Sequence, residues 1–138
     1  MKKTANYGLN LWEKTDRIQM EDFNADNAKI EAALAAAGNC KIVTGTYIGS
    51  GKYHSNTPNT LTFNGTPLAL LIVGAGWFLC AIQGSTSAPV MGDGNDTQSV
   101  VISWSENKVT WYNTSSSIYQ MNWEKQPYHY VALLSANG

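Results

Sequence analysis

The charges of this chain are crowded into one end. Residues 1–37 hold five bases (Lys2, Lys3, Lys14, Arg17, Lys29) and six acids (Glu13, Asp16, Glu21, Asp22, Asp26, Glu31). The 101 residues that follow hold eight: Lys41, Lys52, Asp93, Asp96, Glu106, Lys108, Glu124 and Lys125. A soluble domain normally keeps about 25% of its residues charged, so the second part is an unusual surface to leave in water. The chain reads as two materials joined near Gly38. With 138 residues it makes one domain plus an appendage. A net charge of -1 gives no general grip on a phosphate backbone, so no nucleic-acid partner is expected. Hydrophobic residues make up 43%, enough for a packed core.

No targeting or membrane segment stands out. Lys2 and Lys3 are not followed by the apolar stretch of roughly 7–15 residues that a signal peptide carries. The run Leu68 to Val73 is far short of the ~20 residues that cross a bilayer, so no membrane insertion is expected. Cys40 and Cys80 are too few for a disulfide scaffold or a cysteine zinc site. Their apolar neighbours suggest two reduced, buried thiols.

Residues 1–15 have no clean period. Tyr7, Leu9, Leu11 and Trp12 have nothing local to cover them, so 1–17 is expected to be an extended segment that orders on something else. The pattern changes at Asp16. Met20, Phe23, Asn27, Ile30, Leu34 and Ala37 follow one another at heptad a/d spacing. Asp16 with Gln19 resembles a capping box, Glu21 and Asp22 suit a first turn, and the alanine-rich run 32–37 favours helix. Gly38-Asn39 is a good stop. A helix over about 18–37 follows, within a region 18–38. One apolar stripe of this length is marginal alone in water. It either docks on the C-terminal domain or packs in parallel with copies of itself. Asn27 favours the second, because an Asn at a seam position fixes register and oligomer state.

From Cys40 the vocabulary is Thr, Val, Ile, Tyr, Trp, Gly, Ser and Asn, which is strand material with turn punctuation. Strands are expected at Ile42–Ile48, Thr60–Phe63, Leu68–Gly74, Trp77–Gln83, Val100–Trp104, Val109–Tyr112 and Tyr128–Leu134. A turn at Glu106-Asn107 would set Trp104 opposite Val109 and Ile102 opposite Trp111 on a core face. Leu70-Leu71-Ile72-Val73 is apolar on both faces and reads as a central strand. Outward positions look mostly neutral and polar, a surface that can meet its own copies or sugars. The fold class expected is mainly β: an N-terminal helix in a short trimeric coiled coil, then an antiparallel β-sandwich over 39–138.

Chemistry is sparse. Glycosidases use two carboxylates about 5–9.5 Å apart. After residue 40 the acids are Asp93 and Asp96 in one Gly-rich loop, Glu106 in a turn and Glu124 in another loop. There is no Gly-x-Ser-x-Gly elbow. His54 and His129 have no metal-pair or triad spacing, so no enzyme and no cofactor are expected. Asp93-Gly94-Asn95-Asp96 superficially resembles a calcium loop but lacks the EF-hand spacing, leaving Asp93 and Asp96 as weak metal ligands beside a plain turn. Met91 to Ser99 is the longest polar stretch and suits a recognition loop, with Asp93 and Asn95 available for contacts. Sugar platforms are sought among loop aromatics. Trp123, in the turn 122–127, leads. Tyr119 follows, with Tyr53 and His54 in the Gly49–Asn59 loop, and Gln120, Asn122 and Lys125 beside Trp123 for hydrogen bonds. Packing against a neighbouring loop or subunit is the other use of Trp123.

Several stretches carry a resemblance. Thr4-Ala5-Asn6-Tyr7-Gly8-Leu9-Asn10 with Trp12-Glu13-Lys14-Thr15-Asp16, and Met20 to Asn27, resemble the start of tail proteins in phages and prophages of Gram-positive bacteria. Ile42 to Tyr47, Asn59 to Phe63, Trp104 with Asn107 to Asn113, and Tyr128 to Leu133 are similar to the tip domain of such fibres. More distantly, the order of elements resembles H-type lectin sandwiches. The resemblance covers nearly the whole chain and implies a homotrimer. Its N-terminus would attach to tail or baseplate proteins, and its tip would meet a host cell-surface polysaccharide or other glycan. It further implies a place on a virion tail or an extracellular phage-tail-like particle, after synthesis in the bacterial cytoplasm. The chain is short for a fibre, with a helix and a tip and no long shaft. A structural baseplate or tail-assembly protein without receptor contact is the alternative.

Overall fold

The computed structural model describes residues 1–38 and 40–136, and it divides into two compact units at residue 39. Asn39 of the expected helix stop lies outside the described residues.

In the first unit the segment expected to be extended is drawn back on itself. β1 (Lys2–Lys3) and β2 (Asn10–Leu11) pair antiparallel, Lys2 with Leu11 and Lys3 with Asn10. Gly8 supplies the left-handed backbone of the connection, at φ 63°. The hairpin then lies on α1 (Met20–Ala37). Trp12 stacks on Phe23 at 5.5 Å between ring centres. The Asn10 amide donates to the Asp26 carboxylate at 3.0 Å, and the Lys29 ammonium donates to the Gly8 carbonyl at 2.6 Å. Residues 1–15 are thus ordered on the chain's own helix by an aromatic stack and polar bonds, which the apolar period of 1–15 does not register.

The helix begins two residues later than expected. Gln19 stands at the N-cap with extended backbone and makes no side-chain cap bond. Asp16 instead accepts the Glu13 amide at 2.9 Å, closing its own turn. Gly38 ends the helix through its amide to the Leu34 carbonyl, 3.1 Å away. No helix residue is buried; Met20, Phe23, Ile30 and Leu34 are all exposed, as is Asn27.

The second unit is one antiparallel sheet of eight strands. They are β3 (Cys40–Ile48), β4 (Asn59–Thr62), β5 (Pro67–Gly74), β6 (Trp77–Ile82), β7 (Ser87–Gly92), β8 (Thr97–Trp104), β9 (Lys108–Tyr112) and β10 (Pro127–Ser135). Their order is β3-β10-β5-β6-β7-β8-β9-β4, so two strands that follow each other in sequence form the opposite margins. The core lies on one face only. Leu70, Ile72, Leu79, Ala81, Val90, Val100, Ile102, Val109, Trp111, Tyr128, Ala132 and Leu134 are all buried, and each alternates with an outward neighbour. A sheet with a single buried face must curl around it, and this one curls until both margins reach the same carbonyl. The Tyr47 hydroxyl of β3 donates to the Met121 carbonyl at 2.6 Å, and the Asn59 amide of β4 donates to it at 3.4 Å.

The β8–β9 hairpin has the expected register, Trp104 with Val109 and Ile102 with Trp111. Trp111 is core, and Trp104 is half-buried with its indole N–H on the Ser85 carbonyl at 3.0 Å. β7 was not expected. It takes Met91 out of the supposed recognition loop, while β8 takes Thr97 to Ser99, leaving only residues 93–96 between them. β5 is paired on both sides, the central strand expected, with Leu71 and Val73 facing outward and exposed. The expectation for the thiols fails. Cys80 is exposed rather than buried, because strand alternation puts it on the outer face with Ile82; Cys40 is exposed too, and both thiols are free. Apolar neighbours in sequence do not imply burial when the sheet has no second layer on that side.

Candidate functional site

Strand direction sorts the loops. The connections 49–58, 75–76, 93–96 and 113–126 all emerge at one pole of the sheet, where Ile48 pairs with Pro127, Gly74 with Trp77, Met91 with Thr97 and Asn59 with Trp111. The chain enters this unit at the other pole, where Cys40 pairs with Ser135. Every residue expected to contact a glycan therefore lies at the pole remote from the entry point: Tyr53, His54, Asp93, Asn95, Tyr119, Gln120, Asn122, Trp123 and Lys125.

The pole is built around a plug. Gln120, Met121 and Asn122 are buried at the mouth of the sheet, with Met121 in left-handed backbone at φ 58°. The Gln120 side chain is fully buried and uses every hydrogen-bonding group it has. Its Oε1 accepts the amides of His54 at 3.0 Å and Asn113 at 2.9 Å. Its Nε2 donates to the Thr57 carbonyl at 2.9 Å and to Asn59 Oδ1 at 3.2 Å. Asn122 does the same for the start of the 49–58 loop. Its Oδ1 accepts the Ser50 amide at 2.9 Å, and its Nδ2 donates to Ser50 Oγ and the Lys52 carbonyl, each at 2.8 Å. These two amides fasten one loop to another, a role that sequence spacing could not distinguish from ligand binding.

Trp123 comes out of the plug. The residue is 45% exposed, while its amide is held by the Tyr128 hydroxyl oxygen at 3.0 Å. Gly49 sits against the Trp123 carbonyl, where a methyl group would collide with it. Lys125 turns the chain in left-handed backbone at φ 63° and donates its amide to Gly49 at 2.9 Å. Tyr53 is 42% exposed, and His54 occupies left-handed backbone at φ 92°, with Nδ1 3.1 Å from Ser55 Oγ. A non-glycine residue held there costs on the order of 1–3 kcal/mol, which the Gln120 and Asn113 contacts offset. Tyr119 is turned against Trp77, edge to face at 5.2 Å, and Trp77 in turn lies over Gly92. Asp93, Asn95 and Asp96 form the exposed tip of the neighbouring hairpin. Among the described residues no group of three His, Cys, Asp or Glu side chains is placed to hold a metal ion.

The pole also contains a cleft that the sequence did not announce. Between the ends of the two margin strands is an open space of about 500 Å³. Tyr47, Ile48, Asn59 and Leu61 form its walls, Trp111 its depth, and Ser50, Lys52, Asn56 and Pro58 its rim. Lys52 is its one charged side chain. The loop 49–58 was identified through Tyr53 and His54, but its cleft-lining residues Ser50, Lys52 and Asn56 were missed. The available signal was that this loop links the sheet's two unpaired margins, which only the strand order reveals. Below the cleft Tyr47 stacks on Tyr128 at 5.1 Å. Burial, and then the neighbouring Tyr128, push the Tyr47 phenol far above its usual range; burial likewise raises Tyr128. Both stay neutral and serve as hydrogen-bonding core.

No family model matches the chain, and no curated protein or solved structure matches it either.

Proposed function

We propose that this chain is a non-catalytic receptor-binding tip of a phage tail or phage-tail-like particle, assembled as a homotrimer. The N-terminal unit attaches to tail or baseplate proteins. The helix stripe Met20, Phe23, Asn27, Ile30, Leu34 and Ala37 joins a three-stranded coiled coil. The curled sheet acts as a lectin-like tip whose loop pole binds a cell-surface polysaccharide.

The observation that carries this reading is the polarity of the β unit. The chain enters at one pole, and the exposed aromatics Trp123 and Tyr53, the cleft and the Asp93–Asp96 tip share the other. An adhesin that is held at one end and presented at the other needs that arrangement. The chemistry of the pole agrees with it. Sugars are held by a flat ring against one face and by neutral donors and acceptors around the rim. Here both are mounted on loops already pinned by Gln120 and Asn122, so little ordering remains to oppose binding.

The test is retention of the full chain on purified wall polysaccharides of Gram-positive bacteria. Trp123→Ala should weaken retention at least 10-fold, the least expected for a central aromatic contact, and leave the oligomer intact. No retention on any wall preparation, together with capture of isolated tail or baseplate proteins, would favour the structural alternative.

A further inference from the structure

One flank of the sheet is apolar on its outside. Across β3, β10, β5 and β6 the outward side chains fall into rows: Ile42–Leu133–Ala69–Ile82, and Thr44–Val131–Leu71–Cys80. A third row, Thr46–His129–Val73–Phe78–Met91, extends onto β7. The opposite flank is mostly polar at its outward positions, with Thr60 and Thr62 on β4, Lys108, Thr110 and Tyr112 on β9, and Ser99 and Ser103 on β8, where Val101 is the one exposed aliphatic residue. One sheet thus carries two different surfaces, and only the second is suited to water.

We propose that the apolar flank is where copies of this chain meet, so that the β unit itself holds the assembly together and the helix stripe is not its main bond. The proposal does not depend on what the loop pole binds.

The first support is area. Seven side chains of the flank (Ile42, Ile48, Leu71, Val73, Ile82, Met91, Val131) are between 37% and 70% exposed. At the roughly 60–120 Å² of apolar surface implied for one aliphatic side chain by its transfer energy, they expose roughly 200–430 Å². The upper end approaches the apolar share of one side of a standard interface, about 800 Å² per partner and a little over half non-polar. The second support is charge. None of the outward residues in these rows is Asp, Glu, Lys or Arg. A surface that must meet its own copy cannot rely on opposite charges at equivalent positions, and a neutral one avoids like-charge repulsion. The third is continuity. Ile48 and Ile42 lie on β3, a nine-residue margin strand without proline, so the apolar flank runs out to an unpaired edge. A copy seated there would cover both features at once.

The full chain is weighed by light scattering, and Val73→Lys with Ile82→Lys is compared with it. Both positions face outward and leave the core untouched, so the variant should keep its melting profile and fall to the mass of one chain. The same two lysines on the helix, Ile30→Lys with Leu34→Lys, should leave the mass above that of one chain. A second measurement needs no substitution. Cys80 lies in the middle of the flank and is exposed in a single chain. In the native assembly it should react with a maleimide at least 10-fold more slowly than in the urea-unfolded chain. This reading decides the matter if the lysine variant fails to fold. A wild-type chain that is monomeric, a flank variant that folds and keeps the wild-type mass, a helix variant that falls to one chain, or a freely reacting Cys80 would each overturn the proposal.

Discussion

Replacing Gln120 with leucine would separate the loops of the pole without changing much volume. Four hydrogen bonds end on this side chain, and their partners do not lose equally. The His54 amide keeps the Asn113 carbonyl at 2.9 Å, while Asn59 Oδ1 loses its donor and Asn59 Nδ2 keeps the carbonyls of Gln120 and Met121 at 3.4 Å. The Asn113 amide is buried and is left without that acceptor. An orphaned buried donor costs about 1–3 kcal/mol, and each of the other three neutral bonds contributes about 0.5–1.5 kcal/mol. Leucine recovers part of this by its own burial, about 1.5–3 kcal/mol at most. The expected net loss is about 2–4 kcal/mol. At about 4–8 °C per kcal/mol for a domain of this size, melting should fall by roughly 10–25 °C. Urea unfolding followed by tryptophan emission measures the loss, and amide exchange at Asn113 locates it. Gln120→Glu makes the diagnosis sharper. It keeps both acceptor sites but turns an oxygen toward the Thr57 carbonyl and Asn59 Oδ1, so it should be at least as damaging at neutral pH. It should recover part of the loss once the carboxyl is protonated. A loss below 1 kcal/mol for Gln120→Leu, with Asn113 still protected, would refute the view that this amide fastens the pole.

Two other outcomes follow from the same structure. Ala75 and Gly76 form the two-residue turn between β5 and β6, with φ 53° and 80°, the positive pair a type I′ hairpin requires. Ala75→Gly should therefore stabilise the chain by about 0.5–1 kcal/mol, read as a higher urea midpoint at unchanged slope. Tyr47 and Tyr128 have phenols raised by burial above the ordinary value of 10.0. A raised folded value contributes stability that is complete below pH 10 and drains away above it, as the unfolded chain ionises first. Phenolate absorbance during an alkaline titration should show these two tyrosines ionising only as the fold is lost.

The sequence made the junction near residue 38, the helix and the β8–β9 register legible, because each rests on local pattern. Ile102, Trp104, Val109 and Trp111 alternate around a short turn, and strand pairing follows directly. β7 was hidden by Pro89, which reads as a breaker. In the sheet the β6–β7 ladder ends at Val90, so the side of Pro89 toward β6 has no ladder to interrupt. The all-apolar run of β5 led to its central place in the sheet, but an all-apolar run normally means cover on both sides, and here Leu71 and Val73 are exposed. Within the pole, aromatic content and loop position singled out Trp123 and Tyr53, and both are exposed. Polarity alone put Gln120 and Asn122 beside them as ligand contacts, although their neighbours in space consume them. The cleft was invisible for a topological reason: β3 and β4 adjoin in sequence but close the sheet from opposite margins.

The claim that matters most is that the loop pole grips a glycan through Trp123. Tryptophan emission tests it directly in a titration of the full chain with soluble wall polysaccharide of Gram-positive cells. Trp104 and Trp111 are drawn into the β core and Trp12 and Trp77 lie against other rings, while Trp123 is 45% exposed. The reading predicts a saturable blue shift that is absent in Trp123→Ala. Saturable binding with wild-type emission unchanged, or undiminished binding by Trp123→Ala, would contradict it.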